Sequence, residues 1–274
     1  MSQLGTSLFQ FSSCRDGLTI KIAWGLTKPN TLHPVVNGLS FSNCKQTIMY
    51  TLYIANKNYS SWSLRPWILM RDLAIPFEER LTPFVEGANW NAFREFSPNG
   101  RVPCLHDEST VIWDSLAIVE YLAERHPGVW PEESAPRVWA RSAVSEMHSG
   151  FTELRECCPM NCGLRVELAA MSTTLMAEIA RIDEIWAEGR SRFGGPYLSG
   201  PRFHAVDAFF APIAFRVQTF SLPLSDSAGA YVEHLLQHPA MQLWYEAALA
   251  ENWRETSHEN EVAAAGTVLA DYRA

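Results

Sequence analysis

Three short stretches of this 274-residue chain bring hydroxyl, carboxylate and backbone donor groups together at spacings that suit one small anionic ligand. The first is Tyr59-Ser60-Ser61-Trp62-Ser63-Leu64-Arg65-Pro66-Trp67, where three serines crowd the start of an expected helix. A helix start carries unsatisfied N–H groups and a partial positive charge, so it stabilises a thiolate or carboxylate and lowers a thiol pKa. A serine hydroxyl adds a hydrogen bond to the charged sulfur; the same residue type also serves as a simple helix cap. The second stretch is Asn99-Gly100-Arg101-Val102-Pro103-Cys104-Leu105. A cis Val102–Pro103 bond there bends the chain so that the Val102 backbone faces an extended ligand. The third is Trp113-Asp114-Ser115, heading the apolar run to Leu122. Ser115 and the helix N–H groups hold a carboxylate and Asp114 pairs with an ammonium, which together suit an α-amino-acid end; a plain cap is the competing reading.

The elements that must position these groups follow from hydrophobic period. Tyr50 to Ala55 is β-branched and aromatic, which predicts a buried strand opening near Met49. A helix is expected over Leu64 to Leu73, a strand over Phe77 to Phe84, and a short helical piece over Asn91 to Phe96. Val102 to His106 and Thr110 to Trp113 read as a hairpin, and Ser115 to Arg125 as a helix. That order makes one small α/β unit, 49–127. The proline-punctuated stretch from His126 to Pro136 reads as a linker. Residues 137–256 read as an all-helical domain, with helices over Arg137 to about Cys158, Leu164 to Glu188, Ala205 to Phe220, Ala228 to Leu236 and Met241 to Glu251. The tail after Trp253 reads as loose. Residues 1–48 hold four basic residues and one acid without clear period, and read as a disordered extension.

A composition of 47% hydrophobic and 19% charged residues is that of a folded protein. A net charge of −8 argues against a nucleic-acid partner, and no apolar run is long enough to span a membrane. Six cysteines without C-x-x-C spacing predict neither a zinc site nor a disulfide framework, so no metal is expected and a cytoplasmic location with reduced thiols is.

Taken in order, the three motifs and the helical second half resemble the cytosolic glutathione transferase family from Met49 to about Trp253. The Tyr-Ser-Ser-Trp-Ser loop is most similar to the serine-type members, nearest to the zeta-like branch (maleylacetoacetate isomerase). That branch has a Ser-Ser-Cys loop; Trp62 stands here in place of the cysteine, which counts against isomerase activity and against the cysteine-type branches. The resemblance implies a thioredoxin-like glutathione-binding domain followed by an all-α domain, with glutathione as co-substrate. It implies catalytic Ser60, with Ser61 close behind and Ser63 also open. Val102 and cis Pro103 would seat the cysteinyl part, Asp114 and Ser115 the γ-glutamyl end, and Arg101 the glycine carboxylate. Met147, His148 and Phe151 are expected at the second-substrate pocket, where His148 also reads as a structural histidine. A half-made capping box is expected at His204 to Asp207. The implied activity is transfer of glutathione to a small electrophile, or its thiol-assisted isomerisation, by a homodimer. A non-catalytic glutathione transferase-like interaction protein and a thiol–disulfide oxidoreductase are the alternatives; the second needs a cysteine where Trp62 stands.

Overall fold

The computed structural model describes residues 50–274 apart from Ala88, and four short strand segments before them. Those segments form two antiparallel pairs, β1 (Cys14–Arg15) with β2 (Leu18–Thr19) and β3 (Ala23–Leu26) with β4 (Leu32–Val35), within a unit separate from the rest. Most of the expected 1–48 extension, and Met49, lie outside the described residues.

Strand β5 (Tyr50–Ile54) buries Tyr50, Leu52 and Ile54 completely, as its alternating pattern requires. It lies between β6 (Phe77–Leu81), which it pairs in parallel, and β7 (Cys104–Asp107), which it pairs antiparallel. Strand β8 (Thr110–Trp113) closes the sheet in the order β6-β5-β7-β8. The parallel pair needs a crossover, and α1 (Ser61–Asp72) supplies it, burying Leu64, Trp67, Ile68, Leu69 and Met70. The helix begins three residues before the expected Leu64. Pro66 therefore lies in its second turn and leaves the Trp62 carbonyl without its usual helical donor. Helix α2 (Asn89–Arg94) precedes β7, and α3 (Ser115–Ala123) follows β8.

The helical region comprises α4 (Ser134–Ser149), α5 (Thr152–Cys157), α6 (Thr173–Phe193), α7 (Ala205–Phe220), α8 (Asp226–Leu236), α9 (Pro239–Leu249) and α10 (Thr256–Ala265). Helix α7 is the central pillar: all but two of its residues are buried, and it packs on α1, α4 and α8. The architecture is thus the expected thioredoxin-like α/β unit followed by a helical region.

Two expectations for residues 137–256 need correction. The segment Leu164–Leu168 is not the start of a helix but a strand, β9, paired antiparallel with β10 (Gly266–Asp271). Its period is two: Leu164 and Val166 are buried while Arg165 and Glu167 point outward. Helix α6 starts only after Ser172, whose side chain accepts from Leu175 N at 3.0 Å. The long helix expected from Arg137 breaks at Gly150, and Phe151 takes a left-handed conformation (φ 60°) before α5. The tail is likewise ordered as α10 and β10.

At the head of α7, Asp207 is fully buried and accepts from Leu198 N (3.0 Å), His204 N (3.0 Å) and Tyr231 Oη (2.8 Å). His204 Nδ1 lies 3.1 Å from Ser199 Oγ. Burial, and then Arg202, pull the His204 pKa down to about 4 from its ordinary 6.5. Between those values the unfolded chain binds more protons than the folded one, so acidification is destabilising, by up to about 3 kcal/mol. Burial pushes Asp207 the other way, up to about 6, which opposes this below pH 6. Urea unfolding of the native protein should therefore lose stability from pH 7 to 5 more steeply than that of His204→Gln; parallel profiles would refute the buried neutral histidine.

Candidate functional site

The loop that leads into α1 has its backbone committed to the helical region. Glu251 accepts from Lys57 N at 2.6 Å and Asn58 N at 3.2 Å. Trp244 Nε1 donates to Lys57 O at 2.9 Å, Cys162 N donates to Asn58 O at 3.3 Å, and Asn58 Nδ2 donates to Ala248 O at 2.6 Å. Asn56 O accepts from Tyr59 N and Ser60 N, turning the chain into the helix. Lys57 Nζ pairs with Glu79, which also accepts from Trp67 Nε1 at 2.5 Å.

Ser60 is the N-cap of α1, yet its hydroxyl makes no capping bond; it donates to Ser63 Oγ at 2.7 Å. Ser63 Oγ also accepts from Ala55 N at 3.4 Å and is fully buried. Of the three loop serines, Ser60 and Ser61 line a cavity of about 420 Å³, and Ser63 lies behind them. Tyr59 lines it too, but its hydroxyl donates to Glu259 at 2.5 Å, and burial holds its pKa far above the usual phenol range.

Arg101 and Val102 also border this cavity, and the Val102–Pro103 peptide is cis, as expected. The turn before it requires Gly100 (φ 62°): a Cβ there would lie 2.5 Å from the Trp90 ring. Trp62, Arg101 and Val102 also border a second hollow of about 200 Å³ that reaches Pro103, Asp114 and Ser115. The two hollows share Trp62, Arg101 and Val102 as a common border and together are called the groove; Ser60, Ser61, Arg101, Val102, Pro103, Asp114 and Ser115 line one or both, and Ser63 lines neither.

Asp114 is the N-cap of α3, its Oδ1 accepting from Leu116 N (2.8 Å) and Ala117 N (3.5 Å). Its backbone sits at φ 77°, ψ 134°, a region that costs a non-glycine residue roughly 1–3 kcal/mol. Ser115 Oγ accepts from Arg65 Nη1 at 3.4 Å, which leaves its own proton to donate into the hollow.

The expected second-substrate residues are placed elsewhere. Met147 is fully buried because it lies on the inward face of α4, and Phe151 is only 6% exposed because the chain redirected at Gly150 turns it inward ahead of α5. His148 Nε2 lies 3.4 Å from Asp114 Oδ2, and its ring meets Trp62 edge-on at 5.2 Å. Burial lowers its pKa. None of the three lines the cavity; Arg155, Pro159, Met160, Arg216, His258 and Glu261 do.

Two of those, with Arg65, place three guanidinium groups around Trp62 and the groove. Arg65 is completely buried, stacks on Trp62 (4.1 Å) and Phe209 (4.7 Å), and its Nε and Nη2 have no partner among the described residues. Arg155 stacks on Trp62 at 5.0 Å. Burial lowers the pKa of all three; Arg155's charge adds to the effect on Arg65 and Arg216, the latter reaching about 9. Arg216, at about 9, remains cationic at neutral pH. Sequence reasoning passed over them, although a lone arginine inside the apolar run Phe209 to Val217 was a visible signal.

Residues 59–125 match the family model described as glutathione S-transferase, N-terminal domain. The chain is 25% identical to the glutathione S-transferase GstB of Escherichia coli over 72% of its own length and 92% of the relative's. It is 24% identical to human glutathione S-transferase theta-1, over 70% of this chain and 81% of that one. A theta class glutathione S-transferase from Xanthomonas axonopodis pv. citri, solved with glutathione bound, superposes with a TM-score of 0.55 at 24% identity, covering 72% of this chain and 96% of that one. The chain has the glutathione transferase fold, and the relatives support a place in that family.

Glu251 is the acceptor that holds the serine loop. Glu251→Ala leaves two buried backbone donors unmet and should cost about 3 kcal/mol. Hydrogen exchange at the Lys57 and Asn58 amides should accelerate more than at β5; uniform acceleration, or none, would show that the carboxylate does not fix the loop.

Proposed function

We propose that the protein is a serine-type glutathione transferase, which joins the sulfur of glutathione to a small electrophilic organic molecule. The observation that carries this reading is the single groove: the serine head of α1 and Val102 border its larger part, and Asp114 and Ser115 its adjoining end. The relatives named as transferases support it.

In this reading the γ-glutamyl carboxylate takes the Ser115 hydroxyl and the N–H groups heading α3, and its ammonium meets Asp114 Oδ2. The cysteinyl backbone pairs with Val102, presented by the Pro103 bend, and Arg101 meets the glycine carboxylate. The sulfur then faces Ser60. Hydroxyl protons rotate, so Ser63 can turn its proton onto Ser60 and release the Ser60 proton toward sulfur. That hydrogen bond and the N-terminal N–H groups of α1 both favour thiolate over thiol. One pKa unit of such stabilisation is worth about 1.4 kcal/mol, and proximity of the electrophile supplies the remaining acceleration. Ser61 stands beside Ser60 on the same cavity and is the second donor.

Ser60→Ala should cut kcat by about ten- to a hundred-fold, one to two pKa units of thiolate stabilisation, while leaving the KM for glutathione within about three-fold. The ultraviolet absorbance of the bound thiolate should titrate correspondingly higher in the variant. Undiminished turnover in both Ser60→Ala and Ser61→Ala would remove the serine mechanism. Retention on glutathione resin without turnover of any electrophile would favour the non-catalytic interaction protein.

A further inference from the structure

Arg155 on α5 and Arg216 on α7 reach the serine-headed cavity from its helical wall. Both are fixed by neutral carbonyl groups. Arg155 donates through Nε to Gly150 O at 3.1 Å and through Nη2 to Met147 O. Arg216 donates through Nε to Cys158 O at 2.8 Å and through Nη1 to Pro212 O at 3.4 Å. One nitrogen of each, Arg155 Nη1 and Arg216 Nη2, has no such bond among the described residues.

Carbonyl groups orient a guanidinium without neutralising it. Neither arginine pairs with a carboxylate among the described residues, and Arg216 is only 3% exposed. A buried charge left without a counter-charge costs several kcal/mol, so the buried Arg216, with the half-buried Arg155 beside it on the same cavity, marks a place where a ligand supplies the opposite sign. The acid whose charge acts on Arg155, Glu178, is occupied with Glu153 N and Leu154 N at the head of α5. Glu261, the one carboxylate on the cavity lining among the described residues, is solvent-exposed.

Glutathione does not exhaust this charge. Its carboxylates are assigned to Ser115 and Arg101, and its sulfur contributes a single negative charge at α1. We infer that the second substrate itself carries a carboxylate, seated on Arg155 and Arg216, which holds the electrophilic carbon toward Ser60. This deepens the transferase reading and rests on it.

A matched pair of aryl chlorides tests the inference: 4-chloro-3-nitrobenzoate and 4-chloro-3-nitrobenzamide. In each, the thiolate sulfur bonds to the chlorine-bearing carbon and the C–Cl electron pair leaves with chloride; the thiol proton goes to solvent. With each kcat/KM divided by the uncatalysed rate, the acid should exceed the amide at least ten-fold. That ratio should fall at least ten-fold in Arg155→Gln and Arg216→Met, and recover in part in Arg216→Lys, which keeps the buried charge should the methionine variant fail to fold. A ratio near one in the native protein, or a ratio unmoved in the variants, overturns the inference; a rise confined to the glutathione KM would assign the arginines to glutathione instead. If neither compound turns over, the transferase reading rests on the serine variants and other electrophiles, and calorimetry on the native protein decides the anion site separately. Tighter binding of the acid than of the amide, lost in Arg155→Gln, upholds it; equal binding refutes it.

Discussion

The rest of the site depends on how the Lys57–Asn58 segment is held. This segment belongs to the α/β unit, yet its backbone is bonded to Cys162, Trp244 and Glu251. A loop with free N–H and C=O groups would hydrate and move. Here the donors and acceptors are spent on the helical region, so the first turn of α1 is set by residues nearly two hundred positions away. The two halves of the chain are therefore one cooperative object around the groove. Positioning of Ser60 is a tertiary property more than a property of its own helix. Rigid support of this kind is what preorganised chemistry requires.

The legible parts of the fold were those written in local periods. Strand β8 and helix α7 match their expectations residue for residue, and β5 and α3 end one and two residues short of theirs, because apolar runs and the turn or cap residues beside them bound each element locally. The groove residues on the α/β unit were also legible, since each sits in a turn or cap with its own chemistry. What escaped reading depends on distant partners. Strand β9 is five residues long and pairs with a strand about a hundred positions later, so its local pattern alone reads as helix. The register of α4 decides which of Met147 and His148 is buried, the break at Gly150 places Phe151, and packing on α7 and α6 sets that register. Arg155 and Arg216 acquire meaning only when α5 and α7 bring them to one wall.

Net charge and local charge point in opposite directions here. The chain as a whole carries −8, while the cavity wall presents arginines whose pairing partners are neutral carbonyls. An acidic surface repels anions at long range in low salt, but within a Debye length of about 8–10 Å the fixed cations of the groove dominate. Selectivity for a negatively charged molecule is then exerted after entry, by desolvated donors at defined positions, and is little altered by ionic strength.

Asp114 carries two duties that conflict. Its twisted backbone would suit glycine better, and glycine there would relax the turn between β8 and α3. Only a short acidic side chain, however, can close the first turn of α3 and still aim a second oxygen into the groove beside His148. The position therefore embodies a trade between folding stability and activity. A library selected for heat resistance alone would be drawn toward glycine at this residue, and the survivors would gain robustness while surrendering the one carboxylate of the described residues that borders the smaller hollow.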